Sequence, residues 1–271
     1  MKSEIGAALA AGLMLSAVAE DSTEVQLSLY ASFDLASGYV LYGARENREP
    51  CYWTYGEGDL TLGDFGMLAV GLWQNTDMTA HRKEAMRRMN EWDWGAYYRY
   101  SLALAEDWRL AFAAGHIWYV YHGLTPAAAP FYKTMEEWYA RVQLDNPLVT
   151  PYLEGFYDHA VTQGTFVQGG LKRDVTLPAG LVLTPELTLG GGSRNYNACL
   201  YPPYDGSVGA GPTFVQASAQ LAYWFNAHFG VHARVAYVTI LDAEIRAAID
   251  EGGGDAAKDF VWGNLGVEFA F

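Results

Sequence analysis

Cysteine, charge and long apolar runs are all scarce in this chain. Of its 271 residues two are cysteine, Cys51 and Cys199, and 18% are charged. Basic residues are the minority class, Lys plus Arg numbering 17 against 31 Asp plus Glu, for a net charge of −14. That acidity opposes attraction to phosphate backbones and excludes nucleic acid as a partner. Beyond the first twenty residues no apolar run approaches the roughly 18 needed by a transmembrane helix. The helical route across a membrane is closed and the strand route stays open. What is present is apolar and aromatic: 51% hydrophobic, 15% aromatic and 29 glycines, with a mean hydropathy of −0.03. Such hydrophobicity excludes disorder. It suits either a soluble globule or a barrel whose lipid-facing and lumen-facing residues alternate.

Lys2 precedes the apolar segment 5–15, which runs into Ser16-Ala17-Val18-Ala19 and the acidic pair Glu20-Asp21. A basic start, an apolar stretch of about 7 to 15 residues and a small-x-small site form the pattern of a secretory signal peptide. Residues 1–19 are therefore expected to be removed, leaving a single unit over 20–271.

In that unit the period is two. Odd positions of Val25–Leu35 are apolar and even ones mostly polar, over a length that spans a bilayer as a strand. The alternation recurs in 137–144, 183–189, 215–223 and 229–237. Turn signals divide the chain into about twelve strands near 24–44, 51–62, 66–75, 91–104, 108–121, 134–144, 148–158, 164–176, 181–195, 213–225, 229–241 and 259–271. Tight connections at 63–65, 105–107, 145–147, 177–180 and 226–228 alternate with connections that include long ones at 76–90, 122–133, 196–212 and 242–258. Short turns at one end and long loops at the other are the layout of bacterial outer-membrane barrels. The expected fold is all-β: one transmembrane antiparallel up-and-down barrel of about twelve strands. Two loops read as helical, Thr79–Met89 with His81, Arg82, Lys83, Arg87 and Arg88, and the acidic, Ala-rich Asp242–Asp250. Each is a solvated loop helix, or, for the basic one, a contact to acidic lipopolysaccharide or a partner.

The chain ends Asn264-Leu265-Gly266-Val267-Glu268-Phe269-Ala270-Phe271. This resembles the C-terminal assembly signal of outer-membrane barrels, with Asn264, Gly266, Phe269 and Phe271 on its named positions, and implies the barrel-assembly machinery as a partner. Aromatic residues at 97, 98, 100, 108, 118, 119, 121, 138, 139, 223 and 224 fall mostly near strand ends, as at lipid–water boundaries. Further back, Ser37-Gly38-Tyr39-Val40-Leu41-Tyr42-Gly43 continues the first strand, and Gly66–Asn75 contains Gly71-Leu72-Trp73. Together they resemble a broad group of uncharacterised bacterial outer-membrane proteins with a Ser-x-Tyr-x-x-x-Gly first strand, in which Arg usually stands where this chain has Tyr42. The resemblance implies a twelve-strand class barrel and assigns no activity.

The alternation turns both signs of charge inward: Asp93, Arg99, Arg109, Glu137, Arg141, Glu154, Lys172, Glu186, Arg234 and Glu268, with His232. Such a set either fills the barrel with ion pairs or lines a polar pore. Small residues at Ala111, Ala113 and Gly115 would leave space on one wall. No G-x-S-x-G elbow or His-x-Ser element accompanies the six histidines, and Asp158-His159 in a loop is half of an acid–base pair at most. His116 and His122 would share a strand face, but no Cys or carboxylate set beside them completes a metal site. No catalytic residue, metal or cofactor is expected. Two cysteines in an exported protein suggest a Cys51–Cys199 disulfide, which requires the 196–212 loop to fold across the barrel mouth. The expectation is thus a narrow channel for small polar solutes in the bacterial outer membrane, amid lipid and lipopolysaccharide. The alternatives are a structural or adhesin-like barrel with binding loops, and a soluble secreted β-protein.

Overall fold

The computed structural model describes residues 25–78, 86–124, 134–201, 208–251 and 256–271. The expected signal peptide and residues 79–85, with His81, Arg82 and Lys83, lie outside the described residues. In chain order the strands are β1 (Gln26–Ala36), β2 (Tyr39–Leu41), β3 (Ala44–Asn47), β4 (Cys51–Thr61), β5 (Met67–Asp77), β6 (Met86–Ala105), β7 (Trp108–Leu124) and β8 (Met135–Asp145). There follow β9 (Thr150–Asp158), β10 (Gly164–Lys172), β11 (Val175–Thr176), β12 (Leu181–Gly192), β13 (Gly211–Trp224), β14 (Phe229–Ile240) and β15 (Asp259–Ala270). Two helices lie in long connections, α1 (Arg194–Leu200) and α2 (Ala243–Asp250).

Twelve of the strands pair antiparallel with their neighbours into a closed barrel. Closure is made by β1 against β15, from Tyr30 opposite Ala270 to Ala36 opposite Asn264. The backbones of Leu29 and Phe271 exchange two further bonds of 2.8 Å, so the last residues complete the ring. With its edges paired, the barrel satisfies its own backbone, the condition for strands to cross a bilayer. Alternation then sorts the faces. Leu27, Leu29, Phe33 and Leu35 of β1, Leu187 and Leu189 of β12, and Val261, Leu265 and Phe269 of β15 all stand exposed on the outside. A wall this apolar on its outer face contradicts a soluble β-protein and belongs in lipid. Exposed Tyr98, Tyr100 and Trp108 lie towards the short-turn end, and Trp118, Trp138, Tyr157 and Tyr237 towards the other.

Two stretches depart from the sequence expectation. The first strand leaves the wall at Ala36 rather than 44: Tyr39, Val40, Leu41 and Tyr42 are all buried, so no face of this stretch is free for lipid, and it folds inward as the β2–β3 hairpin. The stretch Thr79–Met89, expected to be helical, has Met86–Met89 in β6, because the long β6–β7 hairpin recruits it into pairing, Met86 opposite Leu124. By contrast α2 forms where expected, its first turn capped by the Asp242 carboxylate accepting from the Glu244 and Ile245 amides at 2.9 Å each.

Candidate functional site: an occluded lumen

Ring size sets the problem that the lumen must solve. Strands about 4.8 Å apart and tilted about 40° close twelve-fold into a ring of about 12 Å radius. Wall side chains reach inward about 5 Å, half the spacing of two packed sheets. A bore roughly 14 Å across is left by that arithmetic, more than wall side chains alone can fill. In the outer half of this barrel, loops fill it.

The filling begins with the hairpin. β2 and β3 are joined by the two-residue turn Tyr42-Gly43, with φ of 48° and 80°, the positive pair that two-residue hairpins favour. At its base Tyr39 stacks near Trp73, ring centroids 5.7 Å apart, and Trp73, Trp53 and Trp262 continue the aromatic layer along β5, β4 and β15. At its tip the Tyr42 ring meets Phe166 of β10 at 4.4 Å and Phe156 of β9 at 5.1 Å. β4 and β10 lie on opposite sides of the ring, so the hairpin crosses the whole lumen. α1 enters from the β12–β13 connection, packs on β10 and β12, and places Tyr196 against both Tyr42 and Phe166. The Tyr201 hydroxyl donates to the Tyr42 carbonyl at 2.6 Å.

Both intruding segments converge on one wall carboxylate. Glu137, fully buried on β8, accepts from the Tyr42 hydroxyl at 2.9 Å, from Tyr119 of β7 at 2.5 Å and from Tyr196 of α1. A second tether joins Asn47 Nδ2 to Asp77 Oδ1 at 2.7 Å. Beneath the hairpin lies a cavity of about 40 Å³, lined in part by Tyr42, Gly43, Gln168, Thr188 and Gln216. On the measure by which one water needs about 10–15 Å³, that is room for a few waters.

The half nearer the short turns is ionic. Arg99 forks onto Glu57 at 2.6 and 2.8 Å and reaches Asp59 at 3.2 Å. Arg141 meets Glu154 at 3.1 Å and Gln143 at 2.6 Å. Arg234 meets Glu186 at 3.0 Å and Ser218 at 2.9 Å. Each guanidinium also lies over an aromatic ring, of Tyr97, Tyr152 and Trp262 respectively. His232 bridges two carboxylates, with Nε2 2.6 Å from Asp34 and Nδ1 3.0 Å from Glu268. Asn264 Nδ2 joins the same Asp34 oxygen at 2.5 Å, and Gly266 makes the room, since a Cβ there would lie 2.5 Å from Asp34 Oδ1 and 2.7 Å from His232. Within the C-terminal segment, then, Asn264 and Gly266 face inward while Phe269 and Phe271 stand exposed outside.

Of the sequence-selected inward residues, Asp93, Arg99, Glu137, Arg141, Glu154, His232, Arg234 and Glu268 are buried. Lys172 and Glu186 are half-buried, and Arg109 is exposed at the short-turn rim, opposite Asp145. The structure adds Asp34, Glu57 and Asp59, the partners that neutralise His232 and Arg99, and the tyrosines Tyr42 and Tyr196. The three carboxylates obey the same alternation and were within its reach. Space expected beside Ala111, Ala113 and Gly115 is taken: Ala113 lies in register between Arg99 and Arg141, and Tyr97 occupies the volume above Gly115. The expected Cys51–Cys199 bridge is absent and both thiols are free. Cys51 opens β4, whereas α1, which carries Cys199, packs on β10 and β12 across the lumen. Among the described residues buried acids exceed buried arginines: Asp34, Glu57, Asp59, Asp77, Glu91, Asp93, Glu137, Glu154, Asp158 and Glu268 against Arg99, Arg141 and Arg234.

No protein-family description matches this chain, and no curated protein does. Among solved structures it is similar to the KdgM porin, with 10% identity, 90% of this chain and 99% of that chain covered, and a TM-score of 0.47. It is similar to outer-membrane phospholipase A from Escherichia coli, at 11% identity, 93% of each chain and a TM-score of 0.49. It is also similar to an outer-membrane channel from Pseudomonas putida F1, at 11% identity, 93% and 97% of the chains and a TM-score of 0.48. The fold itself, a closed transmembrane barrel of antiparallel strands, is that of bacterial outer-membrane proteins.

Proposed function

We propose that this protein is an outer-membrane channel for small polar solutes, held closed by the β2–β3 hairpin and α1. The observation that carries this reading is the shared anchoring of two loop segments on Glu137. A ring of twelve strands keeps a bore that its wall side chains do not fill. Here the wall keeps an ionic surface, and the closure is made by separate segments that can withdraw as units without breaking a strand pairing. In the withdrawn state the three arginines keep their carboxylate partners, and the surplus acids make the passage prefer cations over anions. Lipid and lipopolysaccharide surround the belt, and the C-terminal strand with Phe269 and Phe271 is the part offered to the assembly machinery.

Proteoliposome swelling tests the reading. The purified protein should admit small sugars and small cations slowly. A variant with residues 38–47 replaced by a short Gly-Ser loop should admit them fast, and admit small organic anions less well. Slow swelling of that variant, with its folded gel mobility retained, would overturn the proposal.

A further inference from the structure

Three strands bring two imidazoles and a carboxylate together on the outer surface of the barrel, outside the lumen. On β7 and β8 the even positions face outward, so His116 and Trp118 lie beside Trp138 and Glu136, His116 opposite Trp138 and Trp118 opposite Glu136. His159 continues the β9 edge, its amide donating to the Glu136 carbonyl at 3.1 Å. The side chains then converge. His116 Nε2 lies 3.1 Å from His159 Nε2, and His159 Nε2 lies 3.5 Å from Glu136 Oε2. All three donor atoms fall within 4.8 Å of one another.

Two of those separations, 3.1 and 3.5 Å, are close to the edges of a tetrahedron. Nitrogen and oxygen ligands about 2.0 to 2.2 Å from one zinc ion stand roughly 3.3 to 3.5 Å apart, and the third separation, within 4.8 Å, closes by a side-chain adjustment of Glu136 or His116. A hydrogen bond between the two imidazoles and an ion pair of Glu136 with a protonated His159 account for the contacts one at a time; a single metal ion would satisfy all three donors together with both imidazoles neutral. Indole rings hold the ligands in place: Trp118 and Trp138 lie 4.2 and 4.7 Å from the His116 ring, and Trp138 lies 6.4 Å from His159. Glu136 and His159 remain half-exposed, which leaves a fourth position open to water. Three protein ligands plus one open position is the arrangement of an exchangeable or reactive site rather than a sealed structural one.

We infer that His116, Glu136 and His159 form a binding site for a divalent transition-metal ion, zinc in the first instance, at the loop-side rim of the barrel's outer face. Two imidazoles and one carboxylate select such ions over calcium and magnesium, which take oxygen sets. The inference does not depend on the channel reading, because none of these residues faces the lumen.

The test is isothermal titration of tag-free full-length protein in detergent with ZnCl2, and with CaCl2 as comparison. One equivalent of zinc should bind, with calcium not competing, and binding should weaken about tenfold or more in His116→Ala and in His159→Ala. Glu136→Gln should weaken it less, since both imidazoles remain. Because imidazole must be neutral to ligate, affinity should also fall below about pH 6. Heat-modifiable gel mobility identifies any variant that fails to fold, and for such a variant Co2+ spectroscopy of the wild type replaces it, a tetrahedral visible spectrum being expected. No zinc uptake, uptake unchanged in the His116→Ala/His159→Ala double variant, or an octahedral cobalt spectrum would overturn the site.

Discussion

Replacing Gly43 by alanine perturbs the seat of the hairpin tip against Phe214 of β13 and removes no strand pairing of the barrel wall. Gly43 holds a φ of +80°, and an L-residue in the left-handed region costs about 1–2 kcal/mol. Its new Cβ would also lie 2.2 Å from Cγ of Phe214, so the ring or the tip must move. Overpacking of that kind costs about 1–3 kcal/mol. The seated hairpin is thereby destabilised by about 2–5 kcal/mol in total, and at tenfold per 1.4 kcal/mol this raises the withdrawn-to-seated ratio about 30-fold to 4,000-fold. Single-channel recording in planar bilayers reads that ratio as open probability. Gly56→Ala on β4 is the control, because a Cβ there meets nothing within 4 Å. Gly43→Ala should open far more often than wild type and Gly56→Ala should match wild type. An unchanged open probability in Gly43→Ala, with its folded mobility intact, would refute the idea that hairpin seating closes the lumen.

Other substitutions separate the gate from the wall. Glu137→Ala removes the shared acceptor of Tyr42 and Tyr196; charged hydrogen bonds contribute about 1.5–3 kcal/mol each, so open probability should rise at least about tenfold in the same recordings. Arg141→Met leaves Glu154 buried without its cation, which should cost about 3–5 kcal/mol and lower the temperature at which the folded gel band disappears. Leu265→Arg puts a charge at an outward position that is 61% exposed; about 2–4 kcal/mol is expected near the bilayer midplane, measured by urea titration in vesicles.

The wall was legible because lipid outside and polar lumen inside impose one period on every strand, and Val25–Leu35 or Leu183–Leu189 display it without competing demands. The hairpin was not, because 39–42 obeys no period of two: four consecutive large residues, buried together, mark a stretch surrounded by protein, and the Tyr42-Gly43 turn is its only local punctuation. Inward charges such as Arg141 and Glu154 followed from alternation, but their pairing depends on register between strands. Register also hid the outer-surface cluster. Spacing along β7 relates His116 only to His122, whose side chain is outside the described residues, whereas the ligand partners Glu136 and His159 come from the two next strands. Cys51 and Cys199 failed as a pair for a similar reason: α1 docks on β10 and β12, on the side of the lumen away from Cys51.

The account's central claim is that the hairpin and α1 close an otherwise open ionic lumen, and the most direct measurement is conductance of the barrel with residues 38–47 excised. Planar-bilayer recording in a salt gradient should show wild type mostly closed and the excised barrel steadily conducting with a cation-selective reversal potential. A folded, excised barrel that carries no current would contradict it, leaving the lumen solid by design.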